Sequence, residues 1–146
     1  MKLHILTNPN NSATHPDNTM DPFAIATHKF IKNMTPKGYE IVHYGTPGAS
    51  VDCEHVDINS TNSGEYNVLS AQEIRKRKSS GDMILCFYGT DNQYAAEQNS
   101  DLKIIEPSIG YRTTGIFAPY RVFVSYAQMH LFYGERGLSM NPSWFD

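Results

Sequence analysis

The chain has 146 residues, a length that predicts one domain with room for a sizeable hydrophobic core. With 40% hydrophobic residues, 18% charged residues and a net charge of −3, it has ordinary globular composition without the basic excess of a nucleic-acid binder. Two cysteines, Cys53 and Cys86, lie outside any CxxC pair and argue against structural zinc, and no apolar stretch approaches the roughly 18–20 residues of a membrane span. The sequence opens directly on a strand pattern, without the basic and long apolar regions of a secretory signal, which points to the cytoplasm.

Leu3–Thr7 reads as a first strand, ended by the turn signal Asn8-Pro9-Asn10-Asn11. Asp21-Pro22 opens a helix, because Asp accepts free N–H groups and Pro is tolerated at the first helical position. Phe23, Ala26, Phe30 and Met34 give it an apolar face, and Pro36-Lys37-Gly38 ends it. Glu40–Gly45 reads as a second strand and 51–58 as a weaker one at an edge. A polar loop is expected over 59–67. Ser70 and Glu73 have capping-box spacing, which predicts a short helix from Ala71 to Lys78. The cluster Arg75-Lys76-Arg77-Lys78 then forms its solvated C-terminal end, where the macrodipole favours cations. The apolar run Asp82–Tyr88 suits a strand buried on both faces, with Cys86 as a small core residue. A short helix over 92–100 and a strand over 102–106 follow. Pro119 is expected to open a long amphipathic helix through Val122, Phe123, Tyr126, Met129, His130 and Tyr133.

Strands alternating with helices imply an α/β, doubly wound, mainly parallel sheet with helices on both faces. Ligands of such sheets bind beyond the carboxyl ends of the strands. That rule selects the loops 8–20, 46–50, 89–92 and 107–118. The first loop lacks the GxGxxG spacing of a dinucleotide site and any P-loop. No GxSxG elbow supports a Ser-His-Asp hydrolase, and no histidine pair has the spacing of a helical metal site. His15-Pro16-Asp17 matches the J-domain tripeptide but lies between a strand and a helix, not in the helical hairpin it would need. Asn10, Asn11, Tyr88, Thr90, Tyr111, Arg112 and Thr113 are candidate substrate-binding residues, and His15 and Glu106 are candidate catalytic ones. Arg112 can grip an anion by a two-pronged contact, and Tyr111 can stack on a ring. Glu106 either accepts ligand hydrogen bonds, or acts as a base if its pKa is raised, or simply caps its loop by bonding backbone N–H groups.

The segment 106–134, EPSIGYRTTGIFAPYRVFVSYAQMHLFYG, resembles a block, roughly EPGIGY…FAPYRVFESYAWMH, of a family of phage- and virus-encoded glycosyltransferases. The opening MKLHILTNPN, the strand and turn EIVHYGTPG, and CEHVDI after it resemble the start of the same family. The resemblance implies the N-terminal Rossmann-like domain of a GT-B enzyme, with residues 1–146 forming its acceptor side. It implies sugar transfer from a nucleotide-sugar donor to a sugar or glycan acceptor, with no further cofactor. Ser108 stands where the pattern has Gly and Val124 where it has Glu, and the second of these weakens the transfer of function. The family continues past the position of Asp146 into a second domain that holds the donor. The expectation is therefore half of a cleft, inactive alone, with an exposed apolar surface near Trp144 and Phe145 that can drive self-association. The reading from a different class is a non-enzymatic Rossmann-like module that binds a sugar, a nucleotide or a protein partner.

Overall fold

A computed structural model describes residues 1–7, 9, 13–109 and 116–135. Its strands are β1 Lys2–Leu6, β2 Glu40–Gly45, β3 Glu54–Asp57, β4 Met83–Cys86, β5 Lys103–Ile109 and β6 Tyr120–Phe123. Its helices are α1 Pro22–Met34, α2 Ser63–Arg77, α3 Gln93–Glu97 and α4 Tyr126–Glu135. The strands form one open six-stranded sheet in the order β3-β2-β1-β4-β5-β6, and every neighbouring pair is parallel. The chain thus steps outward from β1 to β3 and then restarts on the other side of β1. This is a Rossmann-like, doubly wound α/β arrangement, with its switch point between β1 and β4.

Alternation along the strands divides the core into two layers. Leu6, Val42, Tyr44, Val56, Ile84, Cys86 and Ile104 pack with Tyr66, Ala71 and Ile74 of α2 and with Ala95 and Ala96 of α3. Leu3, Ile5, Ile41, Leu85 and Phe87 pack on the opposite face with Ile31 of α1. The helices therefore cover both faces, as the apolar strands require. The start of the sheet is anchored by the buried Asp82. Its carboxylate accepts the backbone N–H groups of Lys2 at 2.6 Å and Ser79 at 2.7 Å and lies 3.4 Å from His4 Nε2. Burial pushes the Asp82 pKa up, but these bonds outweigh it and hold the carboxyl below its usual range.

Three expected elements differ. The helix before β4 begins at Ser63 instead of Ala71, so 63–67 is helix and not loop. The Asn62 side chain accepts the N–H of Glu65, and the Glu65 carboxylate accepts the N–H and hydroxyl of Thr61. This reciprocal cap lies upstream of Ser70, which is buried inside the helix. The stretch after Pro119 is not one helix. Residues 120–123 form β6, and α4 begins only at Tyr126, where the Ser125 hydroxyl accepts the N–H of Gln128. The burial of Tyr120, Arg121, Val122 and Phe123 alternates with a period of two, the pattern of a strand and not of a helix. On α1 the buried stripe is Ala24, Thr27 and Ile31, with Phe23 and Phe30 splayed beside it against Tyr88 and Phe87. Small residues at the centre let the helix lie close to the sheet. Asp21 caps α1 as expected, accepting the N–H groups of Phe23 and Ala24, and Gly38 turns the chain at φ 82° after it.

Gly45, the last residue of β2, has a packing role. A Cβ there would lie 2.6 Å from Cε1 of the buried His43 ring and 3.1 Å from Thr7 Oγ1. Gly45→Ala is therefore expected to cost about 1–3 kcal/mol through overpacking. Gly134→Ala, which meets nothing within 4 Å on the exposed side of α4, is expected to be neutral or to gain up to about 0.5 kcal/mol. Urea denaturation of the two variants checks the contrast; equal stabilities would refute the role given to Gly45.

Candidate functional site

All six strands point the same way, so their carboxyl ends form one edge of the sheet, and the switch point lies in the middle of that edge. Thr7, the residue just after β1, marks it. Its backbone N–H donates to the Tyr66 hydroxyl at 3.0 Å, and its own hydroxyl donates to the Tyr44 carbonyl at 3.0 Å. The Tyr66 hydroxyl in turn donates to the same carbonyl at 2.8 Å. Burial, only partly offset by the bond from Thr7, pushes the Tyr66 pKa up to about 12, so the phenol stays protonated and can make that donation. On the other side, Asn92 Nδ2 donates to the Thr7 carbonyl at 2.9 Å, and Asn92 Oδ1 accepts the N–H of Tyr88 at 2.9 Å. The buried Asn92 thus ties the loop after β1 to the loop after β4.

The expected site residues fall around this edge as follows. Asn10, Asn11, Tyr111, Arg112 and Thr113 lie outside the described residues. Tyr88 is half-buried, edge-on to Phe23, and Thr90 is exposed on the 3₁₀ turn Gly89–Asn92. His15 is partly exposed; its Nδ1 accepts the N–H of Asp17 at 3.1 Å and lies 3.5 Å from the Asp17 carboxylate. In the neutral ring Nδ1 is then the acceptor, and Nε2 carries the proton. Glu106, the last residue of the expected strand, lies inside β5, which runs on to Ile109, and is fully buried. Its carboxylate accepts the N–H groups of Phe117 at 3.0 Å and Ala118 at 2.7 Å. That is the geometry of a cap that holds 116–118 against the end of β5.

Two features near this edge escaped the sequence reading. One is a row of hydrogen-bonded side chains on the α1 face. Thr14 Oγ1 lies 3.0 Å from His43 Nε2, His43 Nδ1 lies 2.8 Å from His55 Nδ1, and His55 Nε2 lies 2.9 Å from Asp57 Oδ1. Burial, together with the neighbouring His55, drives the His43 pKa down to about 3, so His43 stays neutral. A histidine inside an otherwise apolar strand was the available signal. The other feature is an open concavity of about 460 Å³ at the carboxyl end of β6, lined by residues 121–126 and Met129. Tyr126 stands exposed at its rim, and Arg121 lies 5.5 Å from the ring centre of Phe132. The expected long helix hid this concavity, because it needs the strand-to-helix corner at 124–125. Among the described residues no group of three or more His, Cys, Asp and Glu could hold a metal ion, and no described helix is long and apolar enough to cross a membrane. Comparison with protein-family models, curated proteins and solved structures gives no match.

Two outcomes follow. Asn92→Ala strands the buried Thr7 carbonyl and the Tyr88 N–H, so a loss of about 2–4 kcal/mol and faster amide exchange at Tyr88 are expected; unchanged exchange would show that Asn92 does not hold the loops. The second concerns pH. Below the ordinary value of 6.5 the unfolded chain protonates His43 while the folded chain does not. The His43 contribution is complete above pH 6.5 and is lost as pH falls toward about 3, and the buried His4, also held below its ordinary value, acts in the same direction. Stability measured by urea denaturation should fall by about 1.4 kcal/mol per pH unit on account of His43, starting above the carboxylate range. His43→Gln should flatten that slope.

Proposed function

We propose that this chain is the acceptor-side, Rossmann-like half of a glycosyltransferase. It holds a sugar or glycan acceptor, while a nucleotide-sugar donor is held by a second domain. The observation that carries the reading is the concavity at the carboxyl end of β6. It lies at the ligand end of a doubly wound sheet, and its lining residues belong to the segment 106–134 that carries the glycosyltransferase resemblance. The exposed Tyr126 ring offers a flat face for a sugar ring, and the Ser125 hydroxyl and the Arg121 guanidinium offer polar contacts at its side.

One observation favours the second reading, a non-enzymatic binding module. An acceptor hydroxyl would need a base with an available lone pair. His15 has its Nδ1 engaged by Asp17, so the neutral ring presents an N–H outward, and Glu106 is buried against two backbone amides. Both residues, as placed, serve binding and scaffolding better than proton abstraction.

Incubation of the chain with a panel of nucleotide-sugars and saccharide acceptors, with products read by mass and binding by amide chemical shifts, tests both readings. Saccharide-induced shifts at 121–129 without turnover are expected, with Tyr126→Ala weakening the binding about tenfold or more. Turnover by the chain alone would overturn the half-enzyme reading. Absence of saccharide binding at any concentration tested would overturn the acceptor-side assignment and leave the nucleotide- or protein-binding module.

A further inference from the structure

The row Asp57–His55–His43–Thr14 joins opposite environments. Asp57 is exposed on the edge strand β3 and the His55 side chain is 18% exposed, whereas His43 and Thr14 are buried at 0% and 1%. Thr14 belongs to the loop after β1, at the ligand end of the sheet, and its carbonyl accepts the N–H of Ser50 at 2.9 Å. The direction of each bond is constrained by the protons available. Two Nδ1 atoms 2.8 Å apart share one hydrogen, so one ring donates and the other accepts. With His55 neutral and its Nε2–H on the Asp57 carboxylate, His55 Nδ1 is an acceptor. His43 must then carry its single proton on Nδ1, and its Nε2 accepts from the Thr14 hydroxyl. The free lone pair of that His55 is on Nδ1, so His55 becomes an imidazolium by taking the His43 Nδ1 proton along their hydrogen bond, and its Nδ1 is then the donor. His43 stays neutral by taking the Thr14 hydroxyl proton on Nε2, the Thr14 oxygen regains a proton from solvent at the β1–α1 loop, and His43 Nε2–H then donates to Thr14 Oγ1. Every bond after His55 reverses for the uptake of one proton from solvent.

We propose that these four side chains form a proton relay, in which one proton taken up at the Thr14 end leaves His55 as an imidazolium against Asp57, switches His43 from its Nδ1–H to its Nε2–H form and reverses the hydrogen bond at Thr14. The surroundings leave His55 as the group on which the charge comes to rest. His43 is the ionisable group facing it from β2, and Asp57 and Cys53 are those from its own strand and the link before it. Burial, with the nearby Asp52 and Glu54 acting in the same direction, raises the Cys53 pKa to about 11, so the thiol stays protonated near neutral pH. Glu54 is paired with Arg77. Cys53 packs in the apolar cluster that Ile31, Phe30 and Met34 of α1 form over this face. His43 itself remains neutral, as the relay requires. The relay goes beyond the proposed function, since it couples solvent pH to the β1–α1 loop whatever ligand that end of the sheet takes.

Long-range nitrogen–proton spectra of the imidazole rings in the full chain, across about pH 5 to 8, test the relay. The expected result is that His43 changes from the Nδ1–H to the Nε2–H form with the midpoint of His55, and that the Thr14 and Ser50 amides shift with that same midpoint. If His55 titrates while His43 keeps one form, the relay is overturned, and this measurement needs no variant. In His55→Gln, which cannot take up the proton, His43 should hold one form and the Thr14 and Ser50 shifts should vanish; their persistence would overturn the proposal. Asp57→Asn, a change on an exposed side chain, should lower the His55 midpoint and carry the His43 and Thr14 transitions with it. Midpoints that move apart would also overturn it.

Discussion

The arrangement of the sheet's ligand end rests on how one residue's polar groups are satisfied. β1 is the central strand, and where it stops at Leu6 the next residue, Thr7, is still buried. A buried backbone N–H or carbonyl without a partner costs about 1–3 kcal/mol, so the chain can leave the sheet here only if other groups take over from the ladder. Tyr66 of α2 does so for the N–H, Asn92 for the carbonyl, and the Tyr44 carbonyl for the hydroxyl. These partners come from the flanking strand β2, the helix over one face and the loop after β4. Satisfying Thr7 therefore also fixes where α2 sits and how the loops after β1 and β4 stand to one another. The two loops that border the switch point are held by the same contacts that let β1 end.

The sequence was informative where a signal was local. Asp21-Pro22 placed the start of α1, the β2 segment 40–45 matched residue for residue, and the alternation of strands and helices gave the doubly wound class. It was less informative where two signals shared one appearance. Tyr120–Phe123 shows aromatic and β-branched residues that fit a strand, yet Val122, Phe123 and Tyr126 also fit helical spacing. Pairing with β5 decides between them, and pairing is not a local property. The N-terminus of α2 was hidden because Ser63, Gly64 and Asn67 look like loop residues. Asn67 is in fact buried, its Nδ2 donating to the Ser63 and Asp91 carbonyls and its Oδ1 accepting the N–H of Ala95.

The candidate site was legible to a smaller degree, for a physical reason. Residue type identifies what a side chain can do, but its available lone pairs and protons depend on neighbours distant in sequence. Glu106 reads as a versatile acid until Phe117 and Ala118 are seen to bring their amides to it. His43 reads as a strand histidine until Thr14 and His55, one earlier and one later in the chain, are found on its two nitrogens.

The two edges of the sheet answer the same shortage of cover in different ways. Parallel strands are normally joined by a helix that buries one face of the sheet. Between β2 and β3 there is only the link 46–53, which runs back over the α1 face with Val51 and Cys53 packed beside α1. An apolar residue at position 55 would stand half in water there. The sequence instead places His55 and Asp57 at that edge, where polar tips gain from solvent, and the imidazole of His43 continues the row inward. Gly45 gives up its side chain so that this ring has room. At the opposite edge β6 keeps apolar residues, with Phe123 packed by Phe132 of α4 on one face and Tyr120 and Val122 more than half exposed on the other. A hydrogen-bonded polar row can sit at an edge without a covering layer, whereas exposed aromatic and aliphatic groups gain free energy only when something covers them. The β3 edge therefore meets water without loss, whereas the β6 edge gains free energy from any layer that covers it.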